Sequence, residues 1–157
     1  GNPLRYTDPK GLLATADALN HYMNGNGASL NVLMSEVGTD GIRPSMFPQV
    51  QSQLPKGNCC DARTISIDDK RAFGTSGESA AIFGNVTFRL LGTLTINSDC
   101  SWSFSGQIRA YDDIYDFNKS THRGIAGEAS TAVGASVNGT PYSIHFVGGK
   151  RVSESGR

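Results

Sequence analysis

The spacing of apolar residues changes once along this chain, and that change constrains the fold more than any other feature. Near the start, Asp8 can cap a helix and Pro9 suits its first position. Leu12, Leu13, Ala16, Leu19 and Met23 then recur at helical spacing, up to a stop at Asn24-Gly25-Asn26-Gly27. Leu30 to Val37 reads as a short helix or a strand. Residues 38–55, with three prolines, read as irregular chain or brief helical turns. From Ile65 the period is two. Ile65 and Ile67 flank Ser66, and Val86, Phe88 and Leu90 alternate with Thr87 and Arg89. Leu94 and Ile96 lead into Asn97-Ser98-Asp99, and Trp102, Phe104, Ile108 and Ala110 return, which predicts a hairpin. Thr131, Val133, Ala135 and Val137 lead to Asn138-Gly139, a type I′ turn signal, with Tyr142, Ile144 and Phe146 as the return strand. The last residues, Gly148 to Arg157, read as frayed.

Helical spacing first and strand spacing afterwards predicts an α+β fold, with an N-terminal helical part followed by an antiparallel sheet. Glycine is 19 of 157 residues and charged residues are 18%, a bias toward turns and polar strands and away from a helical bundle. Small residues on several strands let such a sheet curl into an open or partial barrel. The length, 157 residues, suits a single domain over 1–157 with its own core. Fourteen Lys and Arg balance fourteen Asp and Glu, so there is no bulk charge to draw nucleic acid or an anionic membrane. No run approaches the ~18 apolar residues of a membrane span. Gly1-Asn2-Pro3-Leu4 lacks the basic and apolar regions of a signal peptide, and its leading glycine suggests a domain excised from a longer protein.

Between the two hairpins, Arg109 to Gly124 holds more kinds of ionisable group than any other window: Asp112, Asp113, Asp116, Tyr111, Tyr115, Lys119, His122, Arg109 and Arg123. On a strand, Asp113 and Tyr115 face one way and Asp112, Ile114 and Asp116 the other. Asp113 and Asp116 therefore converge only if the strand breaks. Such a set can serve a phosphate ester: a carboxylate for a divalent cation, an imidazole for proton transfer, a guanidinium for two phosphate oxygens. The same residues are also ordinary loop formers.

The spacing Asp113-x-Tyr115-Asp116-x5-His122-Arg123 decides between these. It matches in full the D-x-Y-D-x5-H-R signature of the colicin M family of bacteriocins, which the chain resembles. Five fixed residue types at fixed offsets would arise by chance in a chain of this size with a probability on the order of one in ten thousand. The resemblance implies a C-terminal activity domain built from helices and a half-open antiparallel β-barrel, with the uptake and receptor-binding parts of the toxin absent. A pseudomonad source is the expectation. The implied activity is hydrolysis of lipid II between the undecaprenyl and pyrophosphoryl groups, by a Mg²⁺-dependent phosphodiesterase-type hydrolase that blocks peptidoglycan synthesis. Ca²⁺ could occupy the same site. Implied partners are lipid II at the periplasmic membrane face, a cognate immunity protein and, through the missing parts, an outer-membrane receptor. The toxin would be released by its producer, act in the periplasm of a Gram-negative target as a monomer, and bind no nucleic acid.

The resemblance assigns catalytic work to Asp113, Tyr115, Asp116, His122 and Arg123. Asp116 would be nucleophile or activate water, Asp113 would hold the cation, His122 would be acid or base, and Arg123 would neutralise the pyrophosphate. Tyr115 could bond a phosphate oxygen, orient a carboxylate, or pack under the loop. Lys119 and Arg109 could add positive potential for substrate or be solvated charges. Asp112 and Asn118 are candidate cation ligands that read more simply as turn residues, and Phe117, Ile114 and Tyr111 would serve either an apolar surface beside the prenyl chain or the core.

Elsewhere, His21 and His145 read as structural, since no second imidazole or cysteine stands at zinc-ligand spacing. Cys59 or Cys60 could bridge to Cys100 in an oxidising compartment, although a protein unfolded during import gains nothing obvious from the link. Gly74 to Ser79 lacks the residues of a phosphate loop and reads as a turn. Two other functions fit parts of the pattern. A glycoside hydrolase would use the carboxylates and leave His122 and Arg123 idle. A non-enzymatic β-rich binding module would use Asp113 and Asp116 for structural Ca²⁺.

Overall fold

Strand spacing begins where expected, and the strands fall into two sheets. The computed structural model describes residues 15–57, 61–116 and 138–157. Its elements run α1 (Thr15–Asn24), β1 (Leu30–Leu33), α2 (Pro48–Gln53), β2 (Arg63–Gly74), α3 (Glu78–Ile82), β3 (Asn85–Ile96), β4 (Trp102–Ala110), β5 (Asp113–Tyr115), β6 (Tyr142–Val147) and β7 (Lys150–Gly156). Short 3-10 turns cover Met34–Glu36 and Pro44–Met46. The fold class is α+β, as the spacing predicts. The chain divides into two compact units: Gly1–Asp40, Gly74–Val86 and Tyr111–Val147 form one, and Gly41–Phe73, Thr87–Ala110 and Gly148–Arg157 the other.

The second unit holds the open antiparallel sheet, in the order β2-β3-β4-β7. The predicted hairpin is present, with Phe88 opposite Ala110 at one end and Ile96 opposite Trp102 at the other. Phe88, Leu90, Leu94 and Ile96 alternate into the core, with Phe104 and Ile108 beside them on β4. Burying each such side chain contributes about 1.5–3 kcal/mol. The inward alternation passes through Gly92 and its register partner Gly106 for a steric reason. A Cβ on Gly92 would stand 2.6 Å from Phe104 Cζ, so the missing side chain makes room for that ring. The hairpin loop closes through Cys100 N donating to Asn97 O at 2.9 Å, with Cys100 at φ 69°. Cys100 is disulfide-bonded, and its partner lies outside the described residues.

The C-terminus is not frayed. β7 pairs with β4 from Trp102 opposite Gly156 to Ile108 opposite Lys150. With Val152 as its one large aliphatic residue, β7 carries almost no hydrophobic signal. It is held by the backbone ladder and by Glu154, which accepts from Ser45 N at 2.7 Å and from the Ser45 hydroxyl at 2.8 Å.

The first unit holds a mixed sheet, β1-β6-β5, in which β1 runs parallel to β6 and β5 antiparallel to it. The parallel pair departs from the wholly antiparallel expectation. A strand more than 100 residues from its partner is not bound by hairpin geometry, and either orientation is open to it. Helix α1 also buries a different stripe from the one its aliphatic residues suggest. Ala18, His21 and Tyr22 are buried, and Met23 is 45% exposed. The buried stripe meets Tyr142, whose hydroxyl donates to Ala18 O at 2.8 Å and whose ring takes His21 edge-on at 4.3 Å. His21 is structural, as expected, with Nε2 2.6 Å from Ala28 O.

Asn138-Gly139 is not the expected type I′ turn, because Gly139 does not have the positive φ that turn requires. Its glycine answers a close approach instead: a Cβ there would lie 2.3 Å from Tyr22 Cδ1. The return strand is present as β6, and residues 131–137 lie outside the described residues. At the expected turn near Gly77, a short helix, α3, follows directly. The Ser79 hydroxyl accepts from Gly38 N at 2.9 Å and ties α3 to the chain after β1.

Candidate functional site

β5 carries the first half of the motif. Its burial follows the alternation read from the sequence: Asp113 is half-buried, Ile114 is 61% exposed and Tyr115 is fully buried. Asp113 opposes Ile144, and Tyr115 opposes Tyr142. The Tyr115 ring stacks on Tyr142 with centroids 5.2 Å apart and meets Tyr22 edge-on at 5.9 Å. The Tyr115 ring thus packs between β6 and α1 and fixes β5 against β6.

The strand ends at Tyr115, which is the break that convergence of Asp113 and Asp116 requires. Asp116 departs from the alternation and meets the buried side of α1. The Tyr22 hydroxyl donates to its Oδ1 at 3.2 Å. Tyr22 is a residue that the motif reading missed. Its signal was available: a tyrosine on a helix beside apolar neighbours buries its ring and needs a partner for its hydroxyl.

Asp112, just before β5, meets His145 of β6, with Oδ2 2.8 Å from Nδ1. Both are well exposed, on the face opposite Tyr115 and Tyr142, so this pair is a surface contact of small energetic weight. Arg109 is exposed on β4 in the other unit, with Arg89 as its register partner. Lys119, His122 and Arg123, together with Phe117 and Asn118, lie outside the described residues. A shallow hollow of about 260 Å³ on β4 and β7 is lined by Ser105, Gly106, Gln107 and Arg151, and none of the described motif residues is among them.

Among the described residues, no cluster of three or more His, Cys, Asp or Glu could hold a metal by itself. Mg²⁺ does not demand one, because it binds through one or two carboxylates and completes its shell with water and substrate phosphate. The hard oxygen donor of half-buried Asp113 fits that requirement.

A family model described as Colicin M matches residues 9–157. The chain belongs to the colicin M family. It is 38% identical to Colicin-M of Escherichia coli over 143 residues, which are 89% of this chain and 51% of that protein. It therefore spans about half the length of that relative. The structure of pectocin M2 superposes with a TM-score of 0.78 at 34% identity, over 93% of this chain and 56% of that one. Truncated syringacin M from Pseudomonas syringae pv. tomato gives 0.72 at 37% identity, over 90% and 59%. PaeM, a colicin M-like bacteriocin produced by Pseudomonas aeruginosa, gives 0.72 at 32% identity, over 92% and 51%. This chain is a domain of a colicin M-type bacteriocin, with helices and open sheets arranged as in its relatives.

Proposed function

We propose that the domain is the toxin's activity domain, a Mg²⁺-dependent phosphodiesterase-type hydrolase that cleaves lipid II between the undecaprenyl and pyrophosphoryl groups. The observation that carries the reading is the end of β5. There the motif's two aspartates stand three residues apart at a strand terminus, one half-buried and the other held by a buried phenol. Membership of the colicin M family over nearly the whole chain supports carrying the motif's chemistry to these residues.

Asp113 would hold the cation, whose bound charge would offset charge that builds on the pyrophosphate oxygens. Asp116 orients water or attacks directly. His122 gives or takes the proton, and Arg123 grips the pyrophosphate with its planar fork. Lys119 adds positive potential for the same anion. An amphiphilic substrate also needs an apolar surface. Ile114, between the two inward motif residues, is 61% exposed, and Tyr111 is 44% exposed.

In the whole toxin, further parts would supply uptake and receptor binding. The domain would act in the periplasm of the target and be countered there by an immunity protein.

Incubating the chain with lipid II and Mg²⁺, with products separated by chromatography and weighed by mass, tests the reaction class. Free undecaprenol and a pyrophosphorylated disaccharide-peptide are expected. Cleavage within the disaccharide would instead make it a glycosidase. Unconsumed lipid II with a metal-induced rise in Tm would make it a binding module.

A further inference from the structure

We infer that Tyr22, 94 residues before Asp116 and outside the motif, is the positioning residue of that aspartate. This rests on the reading that Asp116 acts in hydrolysis. Asp116 lies just past the end of β5, so no strand ladder fixes it. A carboxylate there can turn about two side-chain bonds unless something holds one oxygen. Among the described residues, the Tyr22 hydroxyl is what holds Oδ1, at 3.2 Å, and Oδ2 takes no hydrogen bond. One oxygen is tethered and the other is left to meet water or substrate.

The tether is itself held from several directions. Tyr22 is only 2% exposed. Gly139 lies against its ring, so close that a Cβ would come within 2.3 Å of Cδ1 and 2.4 Å of Cε1. The Tyr22 carbonyl accepts from Thr140 N at 2.8 Å, and Tyr115 meets the ring edge-on. A ring packed in this way cannot swing, so its hydroxyl is a fixed point. A serine or lysine at the same distance would lose side-chain freedom in holding the carboxylate, whereas tyrosine has two side-chain angles and both are set by packing. The aromatic cluster of α1, β5 and β6 thereby reaches the reacting group.

The test measures kcat and KM separately, with lipid II and Mg²⁺, for the full chain, Tyr22→Phe and Tyr142→Phe. Tyr22→Phe keeps the ring and removes the tether. Tyr142→Phe removes the hydroxyl that donates to Ala18 O, and it keeps the aromatic packing of the cluster and the Tyr22 hydroxyl. Misplacing a reacting group by about 1 Å can cost as much as ~100-fold in rate, so kcat of Tyr22→Phe should fall by ~10- to 100-fold with KM unchanged. Tyr142→Phe should keep kcat within ~3-fold of the parent, since it leaves that geometry alone. Parent-like kcat in Tyr22→Phe, or equal losses in the two variants, would overturn the inference while leaving the activity of the parent standing. An inert parent would overturn the proposed function and this inference with it.

Discussion

Replacing Gly139 by alanine should destabilise the protein through one contact. The added Cβ would lie 2.3 Å and 2.4 Å from two carbons of the Tyr22 ring and 2.6 Å from the Tyr22 carbonyl oxygen. Carbon pairs rest at about 3.5–4.0 Å, so the overlap exceeds 1 Å. Moving the ring alone does not relieve it, because the carbonyl is struck too and is tied to Thr140 N at 2.8 Å. Overpacking of this kind costs about 1–3 kcal/mol. At ~2–4 °C per kcal/mol for a chain of this length, Tm should fall by about 2–12 °C. Thermal unfolding followed by circular dichroism, for parent and Gly139→Ala, reads this directly. Because the clash is partly with the ring, repeating Gly139→Ala in a Tyr22→Leu background should cost less, by roughly 0.5 kcal/mol or more of coupling. A Gly139→Ala variant with the parent's Tm, or with the same cost in both backgrounds, would refute the close approach and the fixed Tyr22 that depends on it.

Two further outcomes follow from the second unit. The Ser101 hydroxyl and amide, with Arg157 beyond them, lower the Asp99 carboxyl from 3.8 to about 2. A carboxyl depressed on folding adds stability that is present above its unfolded value and is lost as pH falls through the folded one. The Tm difference between the parent and Asp99→Asn should therefore be full above about pH 5 and shrink between pH 4 and 2; a difference constant over that range would contradict the assignment. Cys100 is disulfide-bonded, and removal of a disulfide typically costs about 2–4 kcal/mol. Reductant should lower the parent's Tm and leave that of Cys100→Ala unchanged; equal responses would count against the link.

β3 and β4, and the start of β2 at Ile65 and Ile67, could be read from the sequence because alternation of Val, Phe, Leu and Ile with polar residues leaves little choice of face. The hairpin turn at Asn97-Ser98-Asp99 could be read as well. β7 was illegible because its alternation is of Lys, Val, Ser and Glu, and pairing with β4 is a property of the fold rather than of the segment. The parallel β1–β6 pair was hidden by distance along the chain. Asn138-Gly139 misled because the glycine serves a ring from α1, a contact that no local pattern encodes. At the site, Asp113, Tyr115 and Asp116 were legible as a motif. The Tyr22 tether was legible only as a phenol in want of a hydrogen-bond partner, and not as a contact to Asp116, since a helix face read by hydrophobicity ranks Leu19 and Met23 above the histidine and tyrosine that the fold buries.

The central claim is that the end of β5 carries out the cleavage. Its most direct test is lipid II turnover by the parent beside Asp116→Ala, in Mg²⁺, at matched folded fraction. The account predicts release of undecaprenol by the parent and none by the variant, with both folded to the same extent. Turnover retained by folded Asp116→Ala would contradict it.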